Sequence, residues 1–287
     1  MIVGIDTYSY HRLFGEVRDG ERSRAEPAWA HRPEPVLAHA TAVGADAVYF
    51  ETCYLPEPEQ VTVPPTDLRT GFSWGHPWPD RLHGLDGGRS WEAELELARW
   101  IDAAAAHGHD LLRITAGSPA SRGTEPAEVL VERLTGPMRR AADRAAAAGV
   151  RLALENHGDL RARDILDLFA RVDRPDAIGV CLDNVNLVRV GDDMIEGTRL
   201  LAPHTLLVQL KDHEPGDPMV PGGPVCTALG EGVAPLDDLV GILDDAGFTG
   251  AVCVEIASLG PGDVDELSMV ERSVAWLRAH LPTSATT

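Results

Sequence analysis

Hydrophobic positions along most of the chain follow one repeated grammar. An alanine-rich or acidic stretch of helical character ends at a glycine, and a short β-rich apolar run follows within a few residues, as in AVGADAVYFE, AHGHDLLRIT, AAGVRLALEN and DAGFTGAVCVE. The glycines at these junctions, Gly44, Gly108, Gly149 and Gly247, suit the left-handed position that closes a helix. Reading outward from them predicts strands near 2–8, 46–53, 70–75, 110–116, 151–156, 178–183, 205–211 and 250–257. Helices are predicted over 90–107, 126–148, 161–172, 192–202, 235–246 and 263–281, the last with Asp263 as N-cap and Glu266 as its reciprocal partner.

Strands that alternate with helices imply βαβ units on a parallel sheet. Eight such units in one chain predict an α/β fold with a single closed (β/α)8 barrel over residues 1–281 and a flexible tail at 282–287. No G-x-G-x-x-G follows the first strand, which weighs against an open dinucleotide-binding sheet. The 53–89 stretch is proline-rich and least regular. Two long connections, 9–32 and 212–234, leave the end of the barrel where chemistry is expected, and long loops there act as lids or as surfaces for a homo-oligomer or partner subunit.

Composition narrows the function. A net charge of −20 over 287 residues repels phosphate backbones, so no nucleic-acid partner is expected. The chain opens MIVGIDTYSY, without a basic leader, and no apolar run reaches about 18 residues, so a soluble, cytoplasmic protein with no membrane partner is expected. Cys53, Cys181, Cys226 and Cys253 have no metal-ribbon or redox spacing and read as reduced, buried thiols. Lysine and arginine together number 25, and every one but Lys211 is arginine.

That lysine sits in VQLKDHE at a strand end, where side chains two apart share a face. The same spacing pairs Glu155 with His157, Cys181 with Asp183, Gln209 with Lys211 and Cys253 with Glu255. One carboxylate closing a strand is ordinarily solvated or ion-paired; such polar positions on four strands of one barrel predict a site. Glu155, Asp183, Gln209 and Glu255 offer only oxygen, a donor set that favours Mg²⁺ or Mn²⁺ over zinc. Proton abstraction beside a polarised carbonyl is the natural chemistry of such a centre.

The segments SWGHP, LRITAG, LALENHGD, GVCLDNVNLVRVGDD, LAPHTLLVQLKD, LGEG and CVEIAS together resemble the xylose isomerase-like TIM barrel superfamily of sugar isomerases and epimerases, nearly end to end. The resemblance implies four ligands to a divalent ion, Mn²⁺ or Mg²⁺, at Glu155, Asp183, Gln209 and Glu255, with Gln209 standing where histidine is commoner. It also implies an acid/base pair at Glu155 and Glu255, a substrate that is a small keto-sugar or polyol, and Asn186 where the family often has histidine. Lys211 and His157 are further catalytic candidates, and His11, His76, Arg113, Asn186 and His213 are candidates for binding substrate; Trp74 reads as core. The implied activity is a metal-dependent isomerase or epimerase. The alternative is a lyase on the same scaffold, eliminating a β-substituent as inosose and dehydroshikimate dehydratases or C-glycoside deglycosidases do. A DNA-repair activity, found on the same barrel, is opposed by the acidic charge and the missing histidine-rich ligand set.

Overall fold

Eight apolar runs pair in parallel and close on themselves. The computed structural model describes residues 1–18, 21, 29, 32–79, 83–216, 225–260, 262 and 264–282. The barrel strands are β1 (Ile2–Asp6), β2 (Ala47–Glu51), β3 (Arg69–Trp74), β4 (Leu111–Thr115), β5 (Arg151–Glu155), β6 (Ile178–Asp183) and β7 (Thr205–Leu210), with β10 (Ala251–Val254) as the eighth. Their order is β1-β10-β7-β6-β5-β4-β3-β2, every pairing parallel, so the sheet has no edge. Two short strands, β8 (Asp212–His213) and β9 (Cys226–Thr227), pair antiparallel within the 212–234 connection.

The helices are α1 (His11–Phe14), α2 (Glu34–Val43), α3 (Trp91–Ala106), α4 (Pro119–Arg122), α5 (Ala127–Ala148), α6 (Ala162–Val172), α7 (Asn184–Arg189), α8 (Met194–Leu201), α9 (Leu236–Asp245) and α10 (Glu266–His280). Gly44 and Gly149 close α2 and α5 at φ 78° and 74°, and Gly108 and Gly247 follow α3 and α9 with φ near 70° as well. α10 starts later than the sequence suggests: its cap is Asp265, which accepts from Leu267 N and Ser268 N, while Asp263 lies outside the described residues. Most of the tail, 283–287, also lies outside them.

Period two sorts each strand into an outer face, packed on helices, and an inner face. Val48, Phe50, Phe72, Leu112 and Ile114 belong to the large core that also holds Leu97, Trp100 and Ile101 of α3. Inside the ring, Ala47, Tyr49, Leu111, Ala153, Cys181, Leu207, Ala251 and Cys253 form a separate apolar plug. The plug needs small neighbours. A Cβ on Gly71 would stand 2.5 Å from the Tyr49 ring, and one on Gly4 would stand 2.5 Å from Cys253 Sγ. All four cysteines are buried and none forms a disulfide among the described residues.

Most strands stop one to three residues sooner than the sequence pattern suggests. Beyond the rim there is no parallel partner for the ladder, and side chains take over the backbone groups. Asp6 Oδ1 accepts from Tyr8 N, starting a 3-10 turn over Thr7–Tyr10, and Asp183 accepts from Val185 N and Asn186 N, starting α7, which the pattern did not predict. Among the described residues no helix is long and apolar enough to cross a membrane.

Gly71→Ala should destabilise the protein by about 1–3 kcal/mol through overpacking against Tyr49. Denaturant titration should show this loss, and Gly71→Ala/Tyr49→Leu should recover part of it. An unchanged midpoint for the single variant would mean the plug is looser than its contacts imply.

Candidate active site at the strand ends

The inner face changes character one step above the apolar plug. Each strand end there presents a polar side chain: Asp6, Glu51, Ser73, Arg113, Glu155, Asp183, Gln209 and, just past β10, Glu255. All are at most 5% exposed. Buried carboxylates cost several kcal/mol each unless paired, and two cations meet that need. Arg113 Nη2 lies 2.6 Å from Glu155 Oε2 and 3.1 Å from Glu51 Oε1. Lys211 Nζ lies 2.5 Å from Asp183 Oδ2 and 2.8 Å from Glu255 Oε1.

Backbone clamps set these positions. Asn156, directly after β5, donates Nδ2 to Asp183 O and accepts from Asp183 N, both at 2.8 Å. Asn184 repeats the arrangement one strand on, donating to Lys211 O and accepting from Lys211 N at 2.9 Å. Each asparagine replaces a missing rung of the ladder, which explains why LEN and LDN close adjacent strands. Asp212, next to the lysine, does structural work: it accepts from His213 N, Gly230 N, Gly232 N and Ala234 N and so shapes the LGEG turn.

Electrostatics divide the acids. Burial pushes Glu255 up to about 8 against the pull of Lys211, and burial likewise raises Asp6 and, far more, Glu51. Burial opposes the charge on Lys211, but Asp183, Glu255 and Glu155 together hold its pKa above the usual lysine value. Burial, then the Arg113 charge, holds His157 well below the usual histidine range, so its ring is neutral. His157 Nδ1 donates to Gly117 O at 2.9 Å, which leaves Nε2, 4.0 Å from Glu155 Oε1, as an acceptor.

A cavity of about 350 Å³ opens above this centre. Lys211, Glu255, His157, Asn186, Arg113 and His76 line it. Asn186 donates to Asp183 Oδ2 at 2.5 Å and to Glu155 Oε1 at 3.1 Å, tying two acids together. His76 Nε2 is held by the Glu16 carboxylate at 2.9 Å, and Trp74 is core. Two candidates lie elsewhere. His11 is fully buried with its ring nitrogens on Tyr8 O and the Glu21 carboxylate, and His213, in β8, bonds its own loop at Glu214 O; neither lines the cavity. Glu231 faces outward, paired with Arg272.

The donor set at the strand ends is oxygen-only and suits a hard divalent ion: three carboxylates and the Gln209 amide, with Glu255 Oε2 buried and, among the described residues, without a hydrogen-bond partner. Among the described residues no three His, Cys, Asp or Glu side chains are gathered as a ready-made metal cluster. Lys211 occupies the space between Asp183 and Glu255, and Gln209 turns Nε2 to Asp6 at 3.1 Å and accepts from Cys181 Sγ at 3.2 Å. A lysine on four methylenes can yield that space without moving the backbone.

The sequence reading missed Asp6, Glu51, Arg18, His83 and Arg189, although all but Asp6 line the cavity and Asp6 sits beneath it. For two of them the signal was present. IVGID and AVYFE end in a carboxylate after an apolar run, as LALE does.

Comparison with known proteins follows the same lines. Among curated proteins none matches in sequence. An L-ribulose 3-epimerase structure superposes at TM-score 0.69 with 18% identity, covering 98% of this chain and 94% of the other. The IolI protein, solved with a zinc atom, gives 0.73 at 14% identity over 99% and 100%. A probable 3-DHS dehydratase, AsbF from Bacillus anthracis, gives 0.66 at 13% over 97% and 99%. Residues 73–280 match the model of one family, and with the closed barrel and its strand-end acids the chain belongs to the xylose isomerase-like TIM barrel family.

Proposed function

We propose that this protein is a divalent-metal-dependent isomerase or epimerase that moves a proton at the carbon beside the carbonyl of a keto-sugar or related polyol. The observation that carries the reading is Glu255: it lines the cavity beside Lys211, is buried, and has one carboxylate oxygen without a hydrogen-bond partner among the described residues. Leaving such an atom unsatisfied costs about 1–3 kcal/mol, which a bound ion would offset. A divalent ion, Mn²⁺ or Mg²⁺, held by Glu155, Asp183, Gln209 and Glu255 would polarise the substrate carbonyl.

The remaining steps belong to the chain's own groups. Glu155 and Glu255 take a proton from the carbon next to the carbonyl and return one to it. Lys211 Nζ, with three donors, holds the oxygen on which negative charge develops. His157 Nε2 and Asn186 orient hydroxyls, and the buried Arg113 keeps Glu155 and Glu51 in place. Fold neighbours include a sugar epimerase and a dehydratase, which is consistent with a shared proton-abstraction step and different fates after it.

Protein supplied with Mn²⁺ or Mg²⁺ and incubated in D₂O with a panel of ketoses should exchange the proton beside the carbonyl, as read by NMR, and zinc should support this less well. Glu155→Gln and Glu255→Gln should each lower kcat by about 10²-fold or more and weaken metal binding. Absence of bound ion on metal analysis, with no activation by added Mn²⁺, would overturn the metal reading. Gln209→His should retain metal and shift preference towards softer ions; an unchanged preference would count against Gln209 as a ligand. Elimination of a β-substituent in place of a rearranged ketose would assign the protein to the lyases.

Lys211→Arg should lower kcat by about 10²-fold or more, because a planar guanidinium cannot replace a compact ammonium between Asp183 and Glu255. Metal content and melting temperature serve as controls. Near-normal kcat with metal bound would reduce Lys211 to a structural counter-charge.

A further inference from the structure

The cavity wall is richer in cations than the chain that encloses it. Acidic residues number 45 against 25 lysines and arginines overall, yet the charged carboxylate and basic residues lining the cavity are Glu51 and Glu255 against Arg18, Arg113, Arg189 and Lys211. Two of those cations are already answered, Arg113 by Glu51 and Glu155 and Lys211 by Asp183 and Glu255. Arg18 and Arg189 form no ion pair among the described residues. Elsewhere Arg69, Arg99, Arg140, Arg144, Arg174 and Arg278 pair with a carboxylate even at the surface, while Arg122, Arg139 and Arg161 bond backbone carbonyls instead; what distinguishes Arg18 and Arg189 is that they line the cavity.

Their placement points outward from the reacting centre. Both are half-buried, whereas Lys211, Arg113 and Glu255 are buried beneath them. Among the described residues Arg189, at the end of α7, makes one side-chain hydrogen bond, from Nη1 to Asn186 Oδ1 at 3.0 Å, and its Nε and Nη2 edge meets no acceptor. Asn186 in turn donates to Asp183 and Glu155, and this ties the orientation of Arg189 to the acids below. Arg18 donates to Ala257 O and lies with its guanidinium carbon 6.0 Å from the Tyr8 ring centre; Glu16 and Glu21 are hydrogen-bonded by His76 and His11, and their charges also act on Arg18, which makes Arg189 the more open of the two.

The chemistry of the wall distinguishes between anions. A phosphate is often held by backbone N–H groups at a helix start, and most of those at the two helix starts on this wall are missing or already taken. α4 begins at Pro119, which has no N–H, with Ser118 and Ser121 capping each other, and the first N–H groups of α7 are taken by Asp183. A planar carboxylate needs no backbone N–H: a guanidinium edge meets it through two parallel hydrogen bonds, a fit that phosphate shares. We propose that Arg189, assisted by Arg18, is a carboxylate subsite, and that the substrate is a keto-sugar acid with its carbonyl at the strand-end acids and its carboxylate on the arginines. The substrate assignment rests on the proposed proton-transfer function, whereas the subsite itself does not.

The test compares a neutral ketose, its phosphate ester and a keto-aldonate of similar carbon skeleton, using Mn²⁺-supplied wild type, Arg189→Gln and Arg189→Lys, each checked for folding by circular dichroism. Wild type should exchange solvent deuterium into the keto-aldonate with kcat/KM at least tenfold above that for the neutral ketose. In Arg189→Gln that ratio should fall at least tenfold, chiefly through KM, and Arg189→Lys should restore part of it. A wild type that prefers the neutral ketose or the phosphate ester, or an unchanged ratio in Arg189→Gln, would overturn the assignment. Calorimetric binding of the keto-aldonate is measured alongside. Binding weakened at least tenfold by Arg189→Gln without any exchange would sustain the subsite and refute the proton-transfer reading; no binding to wild type would refute the subsite.

Discussion

Lys211 between Asp183 and Glu255 is the contact on which the upper half of the barrel depends. Eight strands converging on one axis bring their end residues together, and in this chain five of those residues are acids. Without counter-charge such a ring would not stay buried, since charges in a medium of low dielectric repel strongly and each has lost its water. Lys211 and Arg113 divide the problem between them, one on the β6–β7–β10 side and one on the β2–β4–β5 side. The remaining burden is taken up by protonation, which burial favours at Asp6, Glu51 and Glu255.

The same balance accounts for the lone lysine. An arginine at that position would bring a wide, planar head into a gap that Nζ spans at 2.5 Å and 2.8 Å to its two acids. Lysine also combines a point charge with a flexible stem, which the role proposed for it at a substrate oxygen would use. Asn184 fixes the backbone of Lys211 while leaving its side chain to move. A rigid frame carrying a mobile charge is what a centre needs if it is to remain folded and still admit a ligand.

In the proposed subsite, substrate selection is a separate layer. The acids and their two cations are buried and can be reached only from the cavity, while Arg18 and Arg189 stand higher and are half-buried. On the proposed reading, chemistry and recognition draw on different residues, the first on strand ends and the second on α7 and the connection after β1. That separation suits a barrel, in which the strands are constrained by closure and the loops are not.

The alternation of apolar runs with glycine-capped helices was enough to establish the eight-stranded barrel and to bring Glu155, Asp183, Gln209, Lys211 and Glu255 to one end of it, because period two and helix capping are local rules that the chain obeys wherever it folds. The same rule reached Asp6 and Glu51 and was not applied to them. What only the tertiary structure decided is which groups meet. The pairing of Lys211 with Asp183 and Glu255, of Arg113 with Glu51 and Glu155, and of His11 with Glu21 depends on barrel closure and on a loop folding back, neither of which leaves a mark in local spacing. The open edge of Arg189 is of the same kind: being without a carboxylate is a property of the whole surrounding surface, and no stretch of sequence contains it.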